Sequence, residues 1–201
     1  MDNDSYDELK KRIEIIKNNF YVDQDETDLE SVSQQQDFIR AFRLLCHAEF
    51  ENYIEDIANN LVKNAEEKWC QTQIANYNLS SIFITSHRVN IDEKKKKQET
   101  VQTKARRMIH DFKETINGNH GIKESNILKL FGPLGYDIND FDTFFLSELN
   151  TFGSDRGIVA HTSASLQTQQ LLNFNEEVIR VNRILSGIKE FQEVIESKDE
   201  D

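Results

Sequence analysis

Apolar residues recur along most of this chain at the three- and four-residue spacing of an amphipathic α-helix. The first such stretch predicts a helix over 5–20, with Ser5 as a candidate N-cap. Its apolar stripe consists of Leu9, Ile13, Ile16 and Phe20. An acidic, polar segment over 21–33 follows and predicts a loop. The chain therefore begins with a short helix whose apolar side needs a surface to cover it.

A much longer helix is predicted over 33–68, because this stretch contains neither glycine nor proline. Its apolar residues fall into three sectors of the helix surface: Phe38, Phe42, Leu45 and Tyr53; Ala41, Leu44, Ala48 and Ala58; Phe50, Ile54, Ile57 and Leu61. A helix that is apolar around much of its circumference is usually packed on several sides. We therefore expect this helix to be the central element of the fold.

The remaining chain is predicted to form shorter elements. Residues 79–86 suggest a short extended segment, although no partner strand is evident. Helices are predicted over 100–116 and 122–131, then from Asn139 or Asp140 to a break at Gly153, and finally over 175–197. Residues 90–98 are the best candidate for a mobile loop.

Composition agrees with an all-α fold, because one proline and seven glycines leave few sites for the tight turns that sheets require. Cys46 and Cys70 lie far apart and indicate neither a disulfide framework nor a zinc ribbon. No cofactor and no metal site is predicted. No apolar run approaches the roughly 18 residues of a membrane span, so a soluble cytoplasmic protein without membrane partners is expected. The net charge of −12 disfavours indiscriminate binding to nucleic acid but still permits RNA at a locally basic cleft.

The candidate chemistry lies at Arg156 and His161, which are separated by four small or apolar residues. On a helix this spacing turns the second residue by about 140° from the first. At a helix start capped by Ser154 or Asp155, both side chains could still face one pocket. Arginine binds phosphate with a fork of donors, and histidine exchanges protons near neutral pH. The pair would suffice for RNA cleavage without a metal, although a surface pair is the commoner reason for such a spacing.

Three residues of the long helix are candidates to support this pair. Glu49 and Glu51 project among apolar neighbours, where a carboxylate needs a partner such as arginine or histidine unless the helix is only half-buried there. His47 precedes them, and a histidine at such a position is most often a surface residue or a hydrogen-bonded core residue.

The main basic concentration lies over 92–113, in an otherwise acidic chain. A solvated loop or helix end is the commoner interpretation of such a run, and RNA docking is the sharper one. The RNA-binding candidates are Lys94, Lys95, Lys96, Lys97, Arg106 and Arg107.

The order of these elements resembles the HEPN superfamily, and within it the RiboL-PSP-HEPN or MAE-like HEPN branch. The resemblance covers about 33–195. It is carried by LCHAEFE over 45–51 on the long helix, NILKLFGPLGY over 126–136, and the Arg156-x4-His161 motif before a final helix. It implies a HEPN-like helical bundle with one long central helix. In that arrangement 1–32 is an N-terminal helix and acidic loop packed on the bundle, 33–197 is the HEPN-like domain, and 198–201 is a disordered acidic tail.

The resemblance also implies a function. Many HEPN proteins are homodimeric, metal-independent endoribonucleases that cut single-stranded RNA to 2′,3′-cyclic phosphate and 5′-hydroxyl ends. They commonly serve as toxins or antiviral defence effectors, with an antitoxin or defence-system partner. Arg156 and His161 of both subunits would then face a shared cleft at the interface as catalytic residues. Glu51 matches the acidic position of the family most closely, whereas Glu49 is a candidate from the helix wheel alone.

Two departures from the family pattern keep other interpretations open. The residue after the arginine is often Asn, Asp or His but is Gly157 here, and the residue after the histidine is often Gly but is Thr162 here. A catalytically inactive HEPN-like module that binds RNA, a nucleotide or a protein partner is therefore the alternative. A third interpretation is a plain helical scaffold, in which Arg156 only pairs with Glu49 or Glu51.

Overall fold

The computed structural model describes residues 3–21, 29–86, 100–161 and 171–199. Within those ranges the chain is helical and contains no β-strand. The helices are α1 (Asn3–Asn19), α2 (Leu29–Thr72), α3 (Tyr77–Ser86), α4 (Val101–Asn117), α5 (Glu124–Phe131), α6 (Thr143–His161) and α7 (Phe174–Asp199), with 3₁₀ turns at Gly132–Leu134 and Ile138–Asp140. The predicted all-α fold with one long helix is confirmed.

The chain divides into two units, and α2 contributes to both. The first unit comprises 1–53, 121–124 and 141–201, and the second comprises 54–120 and 125–140. The prediction of a separate N-terminal segment, a HEPN-like domain and a tail stays a prediction.

The core of the first unit lies between α1, the N-terminal part of α2, α6 and α7. The stripe predicted for α1 is buried at Leu9, Ile13 and Ile16. Phe42 and Phe50 of α2 are fully buried, whereas Leu45 and Ala48 are exposed, so this part of α2 is covered on fewer sides than predicted. Buried apolar residues of α6 and α7 complete the core: Phe145, Leu149, Phe152, Phe174, Val181, Ile184, Ile188 and Phe191.

The second unit packs α3, α4 and α5 on the C-terminal part of α2. Its buried side chains include Ile57, Leu61, Leu79, Ile82, Met108, Ile109, Phe112, Ile127 and Leu130. Thr100 caps α4 by accepting a hydrogen bond from the backbone N–H of Thr103. As predicted, glycine and proline end the helix at α5, and Gly135 has the left-handed φ of +96° that favours glycine.

The extended segment predicted over 79–86 is wrong, because these residues lie in α3. The Asn76 side chain caps the helix by accepting from the backbone N–H of Leu79 at 3.0 Å. Leu79 and Ile82, three residues apart, both point into the core. A helix satisfies its backbone groups internally, which a lone strand cannot do.

The predicted break at Gly153 is also wrong, because α6 continues through it to His161. The helix begins at Thr143, and the carboxylate of Asp142 accepts from the N–H of Phe145 at 2.7 Å. Asn139 and Asp140, the predicted starting residues, lie in the preceding 3₁₀ turn. A glycine inside a helix costs only about 1 kcal/mol, which the packing of the apolar face of α6 outweighs.

Several boundaries differ by a few residues from those predicted. α2 begins at Leu29 rather than at Ser33, α1 begins before Ser5, and α7 includes Lys198 and Asp199 of the predicted tail. Residues 90–98, the predicted mobile loop, lie outside the described residues. Among the described helices, none combines the length and apolar character needed to cross a membrane.

Candidate functional site

Arg156 lies inside α6 of the first unit, with a half-buried side chain. Ser154 and Asp155 therefore do not cap a helix start, as the sequence had suggested; the Ser154 hydroxyl instead donates to the Asn150 carbonyl at 2.8 Å. Across the described ranges, the Arg156 guanidinium makes no hydrogen bond or ion pair. A partly desolvated cation is thus left without a carboxylate in the part of the chain that the structure describes.

His47 lies close to this arginine. Its side chain is only 1% exposed, and its ring stacks on Phe152 of α6 with 6.1 Å between ring centroids and 16° between ring planes. Burial, and secondly the positive charge of Arg156, lower the pKa of His47 to about 4. The imidazole is therefore neutral at pH 7, and its Nδ1 has no hydrogen-bond partner among the described residues.

The two candidate carboxylates have different surroundings. An Oε2 atom of Glu51 lies 3.5 Å from Nδ1 of His47. Glu49 instead accepts a hydrogen bond from Nε of Arg12 in α1 at 2.9 Å, on the protein surface. Neither acid forms an ion pair with Arg156 in the described structure, so the two pairs on which the scaffold interpretation relied do not form.

A buried ionic network holds the α6 turn that carries Arg156. The adjacent Asp155 accepts from Arg180 of α7 at 2.6 Å, and the Arg180 guanidinium lies over the Phe152 ring, 5.1 Å from its centroid. Arg43 of α2 donates two hydrogen bonds to Glu177 of α7, at 2.9 and 2.6 Å. Phe152 thus contacts both a neutral imidazole and a guanidinium.

The sequence analysis did not predict this network, although the position of Glu177 among apolar residues indicates a buried ion pair. Glu177 falls in the helical stripe of buried residues formed by Phe174, Val181 and Ile184. A charged residue within such a stripe indicates a buried partner of opposite charge. Which arginine provides that charge depends on contacts that the pattern does not encode.

Gly153 marks a close approach on α6. A Cβ added there would lie 3.1 Å from Cγ of Lys123 and 3.8 Å from Nε2 of His47. Lys123, which sequence reasoning also missed, thus crosses α6 one turn before Arg156.

The other predicted residues either lie outside the described residues or belong to the second unit. His161 is the last residue of α6, and its side chain lies outside the described residues. Lys94, Lys95, Lys96 and Lys97 also lie outside them. Arg106 and Arg107 are exposed on α4 of the second unit. The described ranges contain no group of three His, Cys, Asp or Glu side chains placed to bind a metal ion.

Comparison with protein families gives a match over nearly the whole chain. The family model described as RiboL-PSP-HEPN matches residues 7–197, a range that includes Arg156, His161, His47 and Glu51. Comparison with curated proteins and with solved structures returns no significant match.

Proposed function

Because the chain belongs to the RiboL-PSP-HEPN family, we propose that it is a metal-independent endoribonuclease that cleaves single-stranded RNA through Arg156 and His161. The observation that carries this proposal is the Arg156 guanidinium, which is half-buried and unpaired within the described ranges. Such a cation favours a phosphate, which accepts its planar fork of donors in a bidentate manner. In a protein with only a scaffold role, a half-buried arginine would more often form an ion pair with a carboxylate.

The proposed reaction is an internal transesterification of the RNA backbone. The ribose 2′-oxygen forms a bond to the adjacent phosphorus, and the bond from phosphorus to the 5′-oxygen of the next nucleotide breaks. A base takes the proton of the 2′-hydroxyl, and an acid gives a proton to the leaving 5′-oxygen. The products are a 2′,3′-cyclic phosphate and a 5′-hydroxyl, and no water is consumed.

In this reaction each site residue has a distinct role. Arg156 stabilises the negative charge that develops on the non-bridging phosphoryl oxygens. His161 transfers a proton, as base or as acid. His47 lies close enough to Arg156 for the arginine charge to lower its pKa, so it is neutral at pH 7 and does not compete with a phosphate for the guanidinium.

A homodimer would supply the second histidine that the reaction needs, so that one acts as base and the other as acid. Two positions five residues apart are separated by about 140° around a regular helix, and one histidine cannot act as base and acid in the same step. A cleft between two copies would present two of each residue. Lys94, Lys95, Lys96, Lys97, Arg106 and Arg107 would attract RNA to the protein despite its net negative charge. A role as toxin or antiviral effector, with an antitoxin or defence partner, rests on the family resemblance.

The proposal is tested by RNA cleavage in the presence of EDTA, with end-group analysis of the products. His161→Ala should abolish cleavage, and Arg156→Ala should lower its rate by about 10²–10³-fold, as expected for removal of a transition-state donor. Arg183→Ala is the control, because this half-exposed arginine of α7 forms an ion pair with Glu148 at 3.6 Å and is not a predicted site residue. Cleavage that persists in His161→Ala would overturn the proposal.

A second candidate function is a binding module without catalysis. Gly157 favours it, because nothing lies within 4 Å of a Cβ added at this position, where the family often places a polar residue. This module would leave single-stranded RNA intact while retaining it in a stable complex. Cleavage by the wild type that depends on His161 would exclude this candidate.

A further inference from the structure

His47 is a buried ionisable residue to which the proposed reaction assigns no proton transfer. Its side chain is only 1% exposed, so it does not touch RNA. Its Nδ1 atom has no hydrogen-bond partner among the described residues. Buried polar atoms in folded proteins are nearly always hydrogen-bonded, so this nitrogen indicates a group whose surroundings are completed in another state of the protein.

The two ring nitrogens of His47 face different groups. Nδ1 lies 3.5 Å from Oε2 of Glu51, one turn further along α2. Nε2 faces α6, 3.8 Å from the place that a Cβ on Gly153 would take. A neutral imidazole has one N–H group, whereas an imidazolium has a donor on both nitrogens. A second proton would therefore give Glu51 a charge-assisted hydrogen bond while leaving Nε2 directed at α6.

Arg156 lies one turn beyond the two α6 residues that His47 contacts. The imidazole stacks on Phe152, and its Nε2 approaches Gly153. At about 100° per residue, position 156 falls between positions 152 and 153 around the helix axis. Side chains also lean towards the N-terminal end of a helix. The Arg156 side chain therefore leaves α6 on the side that His47 packs against, in agreement with the effect of its charge on the pKa of His47.

Only two of the charged groups around His47 in the described structure lack a partner of opposite charge. Glu51 attracts a proton on the ring, and Arg156 repels it. The remaining charged groups on the elements packed around the ring have partners: Arg43 with Glu177, Arg180 with Asp155, and Lys123. The charge balance at His47 therefore depends on whether Arg156 carries an anion.

We propose that phosphate binding at Arg156 and protonation of His47 promote one another, so that His47 is a positioning residue that tightens RNA binding as pH falls. The inference rests on the proposed function, because it takes Arg156 as the ligand of the RNA phosphate. A bound phosphate cancels the charge that repels the proton, and the proton enters from solvent and is held between Nδ1 and Glu51. The imidazolium in turn adds positive charge near the phosphate, since such coupling acts equally in both directions.

The expected effect follows from the acidity of the free protein. Burial is the larger cause and Arg156 the second cause of the lowered pKa of His47, which is about 4. Cancelling the charge of Arg156 should strengthen proton binding by His47 about tenfold. At pH 5, His47 is then about one-tenth protonated in the free protein and about half protonated in the complex. RNA binding at pH 5 therefore takes up about 0.4 proton at this residue and gains about twofold in affinity relative to pH 7.

The test measures binding of a 2′-O-methyl oligouridylate by titration calorimetry at pH 7 and pH 5. The methyl groups remove the attacking hydroxyl, and uracil does not titrate in this range. Proton uptake at pH 5 is obtained from titrations in two buffers that differ in ionisation enthalpy. The wild type should take up about 0.4 proton more per site than His47→Gln, and its gain in affinity from pH 7 to pH 5 should be about twofold larger. His161 and the surface carboxylates titrate in both proteins, so their contributions cancel.

Two further variants separate this coupling from a purely structural role. Glu51→Gln retains His47 but removes the carboxylate that holds the proton, so proton uptake should fall by at least half. Glu51 is half-buried, and this variant tests the inference even where His47→Gln does not fold. His110→Gln is the matched control, because it makes the same change at an exposed histidine of α4 and should retain the proton uptake of the wild type.

The outcomes separate this inference from the proposed function. Equal proton uptake by the wild type and His47→Gln, with binding weakened by Arg156→Ala, would overturn the coupling and leave the proposed function standing. Wild-type proton uptake in Glu51→Gln would overturn the placement of the proton between His47 and Glu51. Wild-type protein that binds no RNA at either pH would overturn both proposals.

Discussion

The burial of His47 makes the folding stability of this protein depend on pH. In the unfolded chain the histidine has a pKa near its ordinary value of 6.5, whereas in the folded chain the pKa is lowered to about 4. As pH falls from 7, the unfolded state therefore binds a proton before the folded state does. The free energy of unfolding contributed by this residue is complete above pH 6.5 and is lost as pH falls towards 4.

The magnitude follows from the two pKa values. A difference of about 2.5 units corresponds to about 3 kcal/mol when fully expressed below pH 4, and to about 2 kcal/mol between pH 7 and pH 5. The charged groups around the ring act in both directions. Arg156 disfavours the imidazolium, whereas the Glu51 carboxylate, 3.5 Å from Nδ1, favours it. Loss of hydration on burial is the largest effect and decides the direction.

The assay compares urea unfolding of the wild type and His47→Gln at pH 7, 6 and 5 and constant ionic strength. Carboxylates that titrate in this range are common to both proteins, so their contributions cancel in the comparison. The wild type should lose about 2 kcal/mol more than the variant between pH 7 and pH 5. Identical pH dependence would refute the reasoning, because it would mean that His47 has the same pKa in the folded and the unfolded chain.

Two contrasts within the chain give further predictions. Arg43→Ala should lower the free energy of unfolding by about 3–5 kcal/mol, because the buried Glu177 carboxylate loses two short hydrogen bonds and its other partner, Arg180, is 3.9 Å away. Arg12→Ala should cost less than about 1 kcal/mol, because its ion pair is exposed. Urea unfolding measures both, and equal losses would contradict the assigned burial. Cys70 is exposed and should react rapidly with a thiol reagent in the native protein. Cys46 is buried with a raised pKa and should react only on unfolding; two equally fast reactions in the native protein would count against this arrangement.

Only part of the candidate site could be predicted from the sequence. The Arg156-x4-His161 motif could be found because it is contiguous, and the family match over 7–197 agrees with the resemblance drawn from it and two other segments. The place of His47 was not predictable, since its burial arises from Phe152, more than 100 positions away along the chain. Glu49 and Glu51 are two residues apart on one helix, yet one lies beside Arg12 and the other beside His47.

Helices are local structures, and the sequence by itself determined most of them. Their apolar spacing and the scarcity of glycine and proline already indicate an all-α chain with one long helix. Only the tertiary structure decided that α6 continues through Gly153, because packing of its apolar face outweighs a local cost of about 1 kcal/mol. The same packing decided that Lys123 crosses α6 at that glycine and that Arg43 meets Glu177. These contacts join residues far apart in the chain, and their energies depend on burial and distance, which a local pattern does not contain.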